Sequence, residues 1–242
     1  MHITEAMVLA AGLGTRMRPI TETMPKPLVR VAGKPLVDYA LDLLADAGVE
    51  RAVVNVHHFA EQMIPHLQNY PRLEVLISDE TSGLMNSGGG LVKGLKLLAR
   101  DPVFVMNADL FWIGDDDRKK SSLARLAATF DPDTMDMALL CVDMDHVTGH
   151  NGKRDFNLGH DGRLSRYQEG DADPVVYAGA IVLNPALFDD APDDAFNLNL
   201  YFDRAIASSR LYGMRLKGEW ITVGTPEAIG EAERTIERQK AG

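Results

Sequence analysis

Residues Met7 to Leu28 read Met-Val-Leu-Ala-Ala-Gly-Leu-Gly-Thr-Arg-Met-Arg-Pro-Ile-Thr-Glu-Thr-Met-Pro-Lys-Pro-Leu. An apolar run enters, Gly12, Gly14 and Thr15 turn it, and a long loop follows with no strand or helix former until Val29. The two glycines let backbone N–H groups approach a ligand closely, and Arg16, Arg18 and Lys26 supply cationic charge. That combination favours phosphate over carboxylate. Read for structure alone, the glycines make a tight turn leading out of a strand.

Outward from this loop, the chain alternates. Glu5 to Ala11 is short, apolar and stopped by Gly12, which predicts a buried strand. Leu36 to Ala47 has the apolar spacing of a helix with one buried face, closed by Gly48. Arg51 to Val56 predicts a strand, Ala60 to Gln68 a helix that carries the unfavourable Pro65, Leu73 to Ser78 a strand, Gly90 to Ala99 a helix and Pro102 to Asn107 a strand. Strands this uniformly apolar predict an α/β fold, a Rossmann-like, mostly parallel sheet with helices on both faces. Ligands of such sheets sit beyond the carboxyl ends of the strands, where the Gly12 loop and Asp109 both fall.

After Asp109 the texture changes. Asp115 to Lys120 is a charge run, with Lys119 and Lys120 read as solvated charge. Ser122 to Thr129 predicts a helix and Met135 to Val142 a strand. Short strands at Phe156 to Gly159, Leu164 to Gln168 and Val175 to Asn184, joined by polar turns, predict a smaller antiparallel portion. A helix over Ala195 to Ser208, strands at Leu211 to Lys217 and Trp220 to Val223, and a helix from Pro226 to Gln239 with Thr225 as its N-cap complete the chain.

The 242 residues fit one large domain or two small ones, and no shift in composition argues for a second. No apolar run approaches the roughly 20 residues of a membrane span, and no signal peptide is visible, so a cytoplasmic protein is expected. With 25 basic and 35 acidic residues the formal charge is −10, which disfavours nucleic acid as a partner while leaving room for a local basic loop. The single cysteine, Cys141, lies in an apolar run and reads as core. His57 and His58 face opposite ways on a strand, with no third ligand evident, and read as structural.

Two familiar nucleotide motifs fail here. A dinucleotide fingerprint needs a glycine at the sixth position from Gly12, where Met17 stands. A P-loop needs Gly-Lys before Ser or Thr, yet the Gly-Lys pairs precede Pro35 and Arg154. The run Leu9-Ala10-Ala11-Gly12-Leu13-Gly14-Thr15-Arg16-Met17-Arg18-Pro19, followed by Pro25-Lys26-Pro27-Leu28, instead resembles the signature of the sugar-phosphate nucleotidyltransferases. The resemblance extends through Gly33-Lys34-Pro35-Leu36, Asn55-Val56-His57, Ser87-Gly88-Gly89-Gly90, Asn107-Ala108-Asp109, Asp155-Phe156 and the segment Trp220 to Pro226. Length, the glycine run and Asp155-Phe156 are most similar to the N-acetylmuramate-1-phosphate uridylyltransferase branch, with mannose-1-phosphate guanylyltransferases close by.

The resemblance implies a single domain over 1–242, with a nucleotide-binding half at 1–110 and a sugar-binding half at 111–242. It implies that a sugar 1-phosphate attacks the α-phosphate of a nucleoside triphosphate, UTP or GTP, with loss of pyrophosphate. A phosphate monoester has its second pKa near ~6, so the nucleophile is already mostly dianionic at neutral pH and no general base is required. Alignment and charge are what the protein must supply. The implied catalytic residues are Arg16 on the β- and γ-phosphates, Lys26 on the α-phosphate and the sugar phosphate, and Asp109 on Mg²⁺. Ala10, Ala11, Gly12, Gly14 and Thr15 would cradle the nucleotide, and Gly88 and Gly89 would lie against the base. Asn107, Asp155, Glu169 and Gly179 would contact the sugar. Asp109 also suits a turn cap, and Gly88 to Gly90 a loop or the start of a helix. Lys26, as an exposed loop residue, is expected to carry little stability.

Several positions depart from the family pattern. The closing segment reads Trp220-Ile221-Thr222-Val223-Gly224-Thr225, with Thr222 where a second metal-binding aspartate is expected. Ser87 replaces a threonine, Asn86 stands near a commonly acidic position, Ala108 replaces a glycine, and Gly170 follows Glu169 where relatives often carry lysine. A second reading, a binding protein of the same fold weakened in turnover, rests on Thr222.

Overall fold

The structure, a computed structural model, describes residues 1–115 and 121–241. Most of the 115–120 charge run, including Lys119 and Lys120, lies outside the described residues. The elements run β1 (Glu5–Leu9), β2 (Arg30–Val31), β3 (Lys34–Pro35), α1 (Leu36–Asp46), β4 (Arg51–Val56), α2 (Ala60–Gln68), β5 (Glu74–Asp79), α3 (Asn86–Leu95), β6 (Val103–Asn107) and β7 (Leu110–Ile113). They continue with α4 (Ser122–Thr129), β8 (Met137–Val142), β9 (Val147–Thr148), β10 (Phe156–Leu158), β11 (Leu164–Arg166), β12 (Pro174–Leu183), α5 (Asn199–Ala207), β13 (Leu211–Arg215), β14 (Glu219–Thr222) and α6 (Pro226–Ala241).

Strands β5, β4, β1 and β6 lie side by side and parallel. Beyond them β12 and then β8 join antiparallel, and β13 closes the edge parallel to β8. The start of β12 also pairs with β10, which pairs with β11, so the second half extends the same sheet. The α/β architecture therefore matches the expected one.

Alternation along the buried strands divides the core between the two faces. Ala6 and Val8 of β1 and Phe104 and Met106 of β6 pack with α1 and α2, whereas Met7, Val103 and Val105 pack on the face carrying α3 and α5. Gly94 lets α3 come close to β1, because a Cβ there would lie 2.3 Å from Met7 Sδ. A third cluster joins Leu36 of α1 and Phe111 and Ile221 of a small side sheet to Ala232 of α6. Among the described residues no helix is long and apolar enough to cross a membrane.

Several differences from the expected elements bear on the site. Helix α3 begins at Asn86, not Gly90, because its glycine run is packed inside the protein and not left as a loop. Helix α5 begins later, at Asn199, because Ala195 to Leu198 is committed to contacts with that glycine run. Strand β7, only four residues long and directly after Asp109, was not expected; it pairs with β14, which in turn pairs with β9. The loop expected to lack structure holds three short 3₁₀ turns, at Thr15–Met17, Ile20–Glu22 and Lys26–Leu28. Helix α2 runs through Pro65.

Cys141 is fully buried and burial pushes its thiol pKa up, in keeping with a core role. His57 Nδ1 lies 2.6 Å from the Glu80 carbonyl and His58 Nε2 lies 3.2 Å from that of Thr21, so each ring ties segments together.

Candidate active site

A cleft of ≈ 360 Å³ opens at the carboxyl ends of β1, β4 and β6. Leu9 to Gly12, Lys26 and Pro27, Leu84, Asn86 and Ser87, and Asn107 to Asp109 form its walls, with Asn55 and Asn197. Adjacent parallel strands place the first and last of these walls together: Leu9 pairs with Asn107, and the Ala108 N–H donates to the Leu9 carbonyl at 3.1 Å.

The loop after β1 is held by its own polar atoms. Gly14 has φ +61°, and its carbonyl accepts from the Met17 N–H at 2.9 Å and from Thr21 Oγ1 at 2.8 Å. A Cβ on Gly14 would lie 2.9 Å from Lys26 Cβ, so this glycine is required both by its backbone and by the lysine beside it. Pro25 and Pro27 are buried on either side of Lys26. The lysine itself is only 8% exposed, and its Nζ meets Asp109 Oδ2 at 2.6 Å. The expectation of an exposed, structurally idle Lys26 is therefore corrected: it forms an ion pair across the cleft, linking residues 83 positions apart.

Arg16 lies elsewhere. It is exposed, no described residue pairs with its guanidinium, and it lines a neighbouring recess of ≈ 400 Å³ with His150, Thr222 and Thr225. The recess adjoins Asp109 through the backbone: Thr222 pairs with Leu110 in the β7 and β14 ladder, and the Val223 N–H donates to the Asp109 carbonyl at 3.1 Å. The position at which a second carboxylate was expected thus sits next to Asp109, and a neutral hydroxyl occupies it. Among the described residues no group of three or more His, Cys, Asp or Glu side chains could hold a metal ion. A single carboxylate at a cleft mouth still suits Mg²⁺, which takes one or two carboxylates and completes its shell with phosphate oxygens and water.

The remaining expected residues separate. Ala10, Ala11, Gly12 and Asn107 line the cleft. Gly88 and Gly89 are buried behind it, and what excludes a side chain there is protein: a Cβ would lie 2.2 Å from the Phe196 ring and 2.5 Å from the Asp194 carbonyl, respectively. Their N–H groups donate to the Phe196 carbonyl, at 2.8 and 3.3 Å. Ser87 and Asn86, the latter at φ +57°, reach the cleft in their place. Asp155 accepts from the Tyr177 N–H at 2.9 Å, Gly179 (φ +74°) packs on Leu110, and Glu169 is exposed beyond β11; none of the three lines the cleft.

Asn55, Glu80 and Asn197 carry parts of the site to which no role was assigned from the sequence. A polar residue inside Arg51-Ala-Val-Val-Asn-Val is a readable signal for Asn55. No local pattern sets Glu80 apart from the other carboxylates of the chain, and Asn197 reaches the cleft only through tertiary packing.

The profile of the Nucleotidyl transferase family matches residues 5–239. A Caulobacter vibrioides protein named N-acetylmuramate alpha-1-phosphate uridylyltransferase is 41% identical over 237 residues, covering 96% of each chain. A Yarrowia lipolytica mannose-1-phosphate guanyltransferase is 28% identical over 92% of this chain and 61% of its own. The solved inositol-1-phosphate CTP transferase of T. maritima superposes with a TM-score of 0.76 over 96% of this chain and 97% of that one, at 17% identity, a likeness of fold. The glycine turn, the Lys26 and Asp109 pair and a match spanning nearly every residue agree, and the chain belongs to the nucleotidyl transferase family.

Proposed function

We propose that the protein transfers a nucleotidyl group from a nucleoside triphosphate to a sugar 1-phosphate, releasing pyrophosphate. The observation that carries this reading is the Lys26 and Asp109 pair, a cation and an anion held 2.6 Å apart at the mouth of a cleft walled by a glycine turn. The 41% identity to an N-acetylmuramate alpha-1-phosphate uridylyltransferase supports UTP and that sugar phosphate as first candidates. The relatives are named as transferases, which supports turnover over binding alone.

In this reading the triphosphate follows the Ala10 to Thr15 backbone, and the exposed guanidinium of Arg16 takes the terminal phosphates. Lys26 exchanges its Asp109 partner for the α-phosphate and the incoming sugar phosphate, neutralising the repulsion between two anions. The attacking oxygen is already deprotonated, so the chain supplies no base. Asp109 would hold Mg²⁺, whose charge would offset that of the phosphates, with Thr222 contributing no charge. Asn107 faces the same cleft, whereas Asp155, Glu169 and Gly179 would shape the sugar side from behind. The protein would work as a single functional unit over 1–242, in the cytoplasm.

The test is pyrophosphate release from UTP, GTP, CTP and ATP, each with a panel of sugar 1-phosphates and Mg²⁺. Release with UTP and a hexosamine-derived 1-phosphate is expected. No release from any pair contradicts the reading.

A further inference from the structure

Behind the cleft a carboxylate is sealed from solvent. Glu80 is 0% exposed and Asn55 2% exposed, and they form one chain of hydrogen bonds linking two walls of the cleft. The Ala10 N–H donates to Asn55 Oδ1 at 2.6 Å, Asn55 Nδ2 donates to Glu80 Oε1 at 2.7 Å, and the Met85 N–H donates to Glu80 Oε2 at 3.1 Å. The Glu80 backbone is fixed as well, because its N–H donates to the Val56 carbonyl at 2.8 Å. Helix α3 presses on the pair through Gly90, where a Cβ would lie 2.6 Å from Glu80 Oε1 and 2.7 Å from Asn55 Nδ2. The third glycine of the run is thereby explained: it makes room for this network.

The network has only one workable direction. A carboxylate accepts and does not donate, so Asn55 must turn its NH₂ toward Glu80 and its oxygen toward Ala10. Both Glu80 oxygens are used, one on each wall. We propose that Glu80 is the positioning residue of the nucleotide cleft: through Asn55 it holds the Ala10 to Gly12 turn, and directly it holds the Leu84 to Ser87 lip, at the separation that admits a nucleoside triphosphate. This rests on the nucleotide reading above.

The direction of the bonds makes the idea testable. Glu80→Gln leaves one acceptor for two donors, so in every amide orientation two donors face each other. Asn55→Asp sets two carboxylates against each other. Combined as E80Q/N55D, the substitutions restore every bond. The new carboxylate at position 55 accepts from Ala10 and from the new amide NH₂ at position 80, and the amide oxygen at position 80 accepts from Met85. One bond is reversed and the shape is kept.

UTP and GTP binding to the full chain and its variants is measured by calorimetry, with thermal unfolding recorded alongside. Each single variant, while folded at the titration temperature, is expected to bind at least about tenfold more weakly, and the double variant to return to within about threefold of the parent. Unchanged affinity in folded Glu80→Gln overturns the inference, as does a double variant that folds but does not recover. Where the single variants fail to fold, the double variant decides: folding and binding uphold the network, and failure of either overturns it. A parent protein that binds neither triphosphate overturns the nucleotide reading and this inference with it, whereas binding by the parent with unaltered variants overturns this inference alone.

Discussion

Lys26 and Thr222 stand on two sides of Asp109, and the protein holds them in opposite ways. Lys26 is wedged between buried prolines, with Gly14 against its Cβ and Asp109 on its Nζ, so the residues that build the turn also build the site. Thr222 sits on a strand whose neighbours do the structural work. Ile221 and Val223 are fully buried, Trp220 Nε1 donates to the Ala178 carbonyl at 3.0 Å, and the Thr222 side chain bonds to no described residue while lining an open recess. In the proposed site, chemistry and packing would be coupled in the first region and separable in the second. A carboxylate at 222 can therefore be exchanged for a hydroxyl without disturbing the sheet, which a change at 26 cannot match.

The largest test of that contrast is Lys26→Ala. Pyrophosphate release should fall by at least about 10²-fold, the scale of losing one preorganised charge partner of a transition state. Stability should fall too, by roughly 1–3 kcal/mol in urea unfolding, since Asp109 loses its buried partner while keeping some solvent. Lost turnover at full stability would break the claim of coupling. Gly14→Ala should come next, costing about 1–3 kcal/mol and lowering turnover together, because strain at φ +61° and a contact with Lys26 act on the same turn. A stable, fully active variant would show that the turn adapts.

Thr222→Asp probes the other side. It should shift stability by less than about 0.5 kcal/mol, and it should lower the Mg²⁺ concentration needed for half-maximal activity. A large fall in melting temperature would show that this strand is coupled after all, and an unchanged Mg²⁺ requirement would show that the position no longer acts on the metal.

The smallest effect is a control distant from Asp109, on α1. Burial would raise the Asp42 pKa, but hydrogen bonds from Lys34, Tyr70 and Arg72 outweigh it and hold the carboxyl below its usual value. Its stabilisation is therefore present above the ordinary carboxylate pKa of about 4 and is lost as the pH falls through the lower folded value. Asp42→Asn should flatten the acid limb of stability by less than about 1 kcal/mol, with pyrophosphate release at neutral pH unaltered. A change in activity would mean that this cluster on α1 communicates with the cleft.

Much of this was legible in the sequence. Apolar runs such as Val103 to Met106 announce buried strands by composition, and the Gly12 turn marks a cleft wall at the carboxyl end of β1. What stayed hidden depends on partners far along the chain. The burial of Lys26 needs Asp109, and it is Phe196, Asp194 and Glu80, far along the chain or across the sheet, that fill the space where side chains on Gly88, Gly89 and Gly90 would go. Strand β7 is short and exists because β14 pairs with it. Asp155, Glu169 and Gly179 follow from the family pattern alone, and the structure places them outside the lining of this cleft.

In the proposed reaction Lys26 and Asp109 are a ready-made pair that parts to receive the reacting phosphates. A crystal structure of the protein with a non-hydrolysable UTP analogue and Mg²⁺ tests this most directly. The triphosphate should lie along Gly12 to Thr15, with Lys26 Nζ on the α-phosphate and the metal on Asp109. A nucleotide bound away from this cleft, or bound in it with the Lys26 and Asp109 pair still closed, would contradict the proposed role.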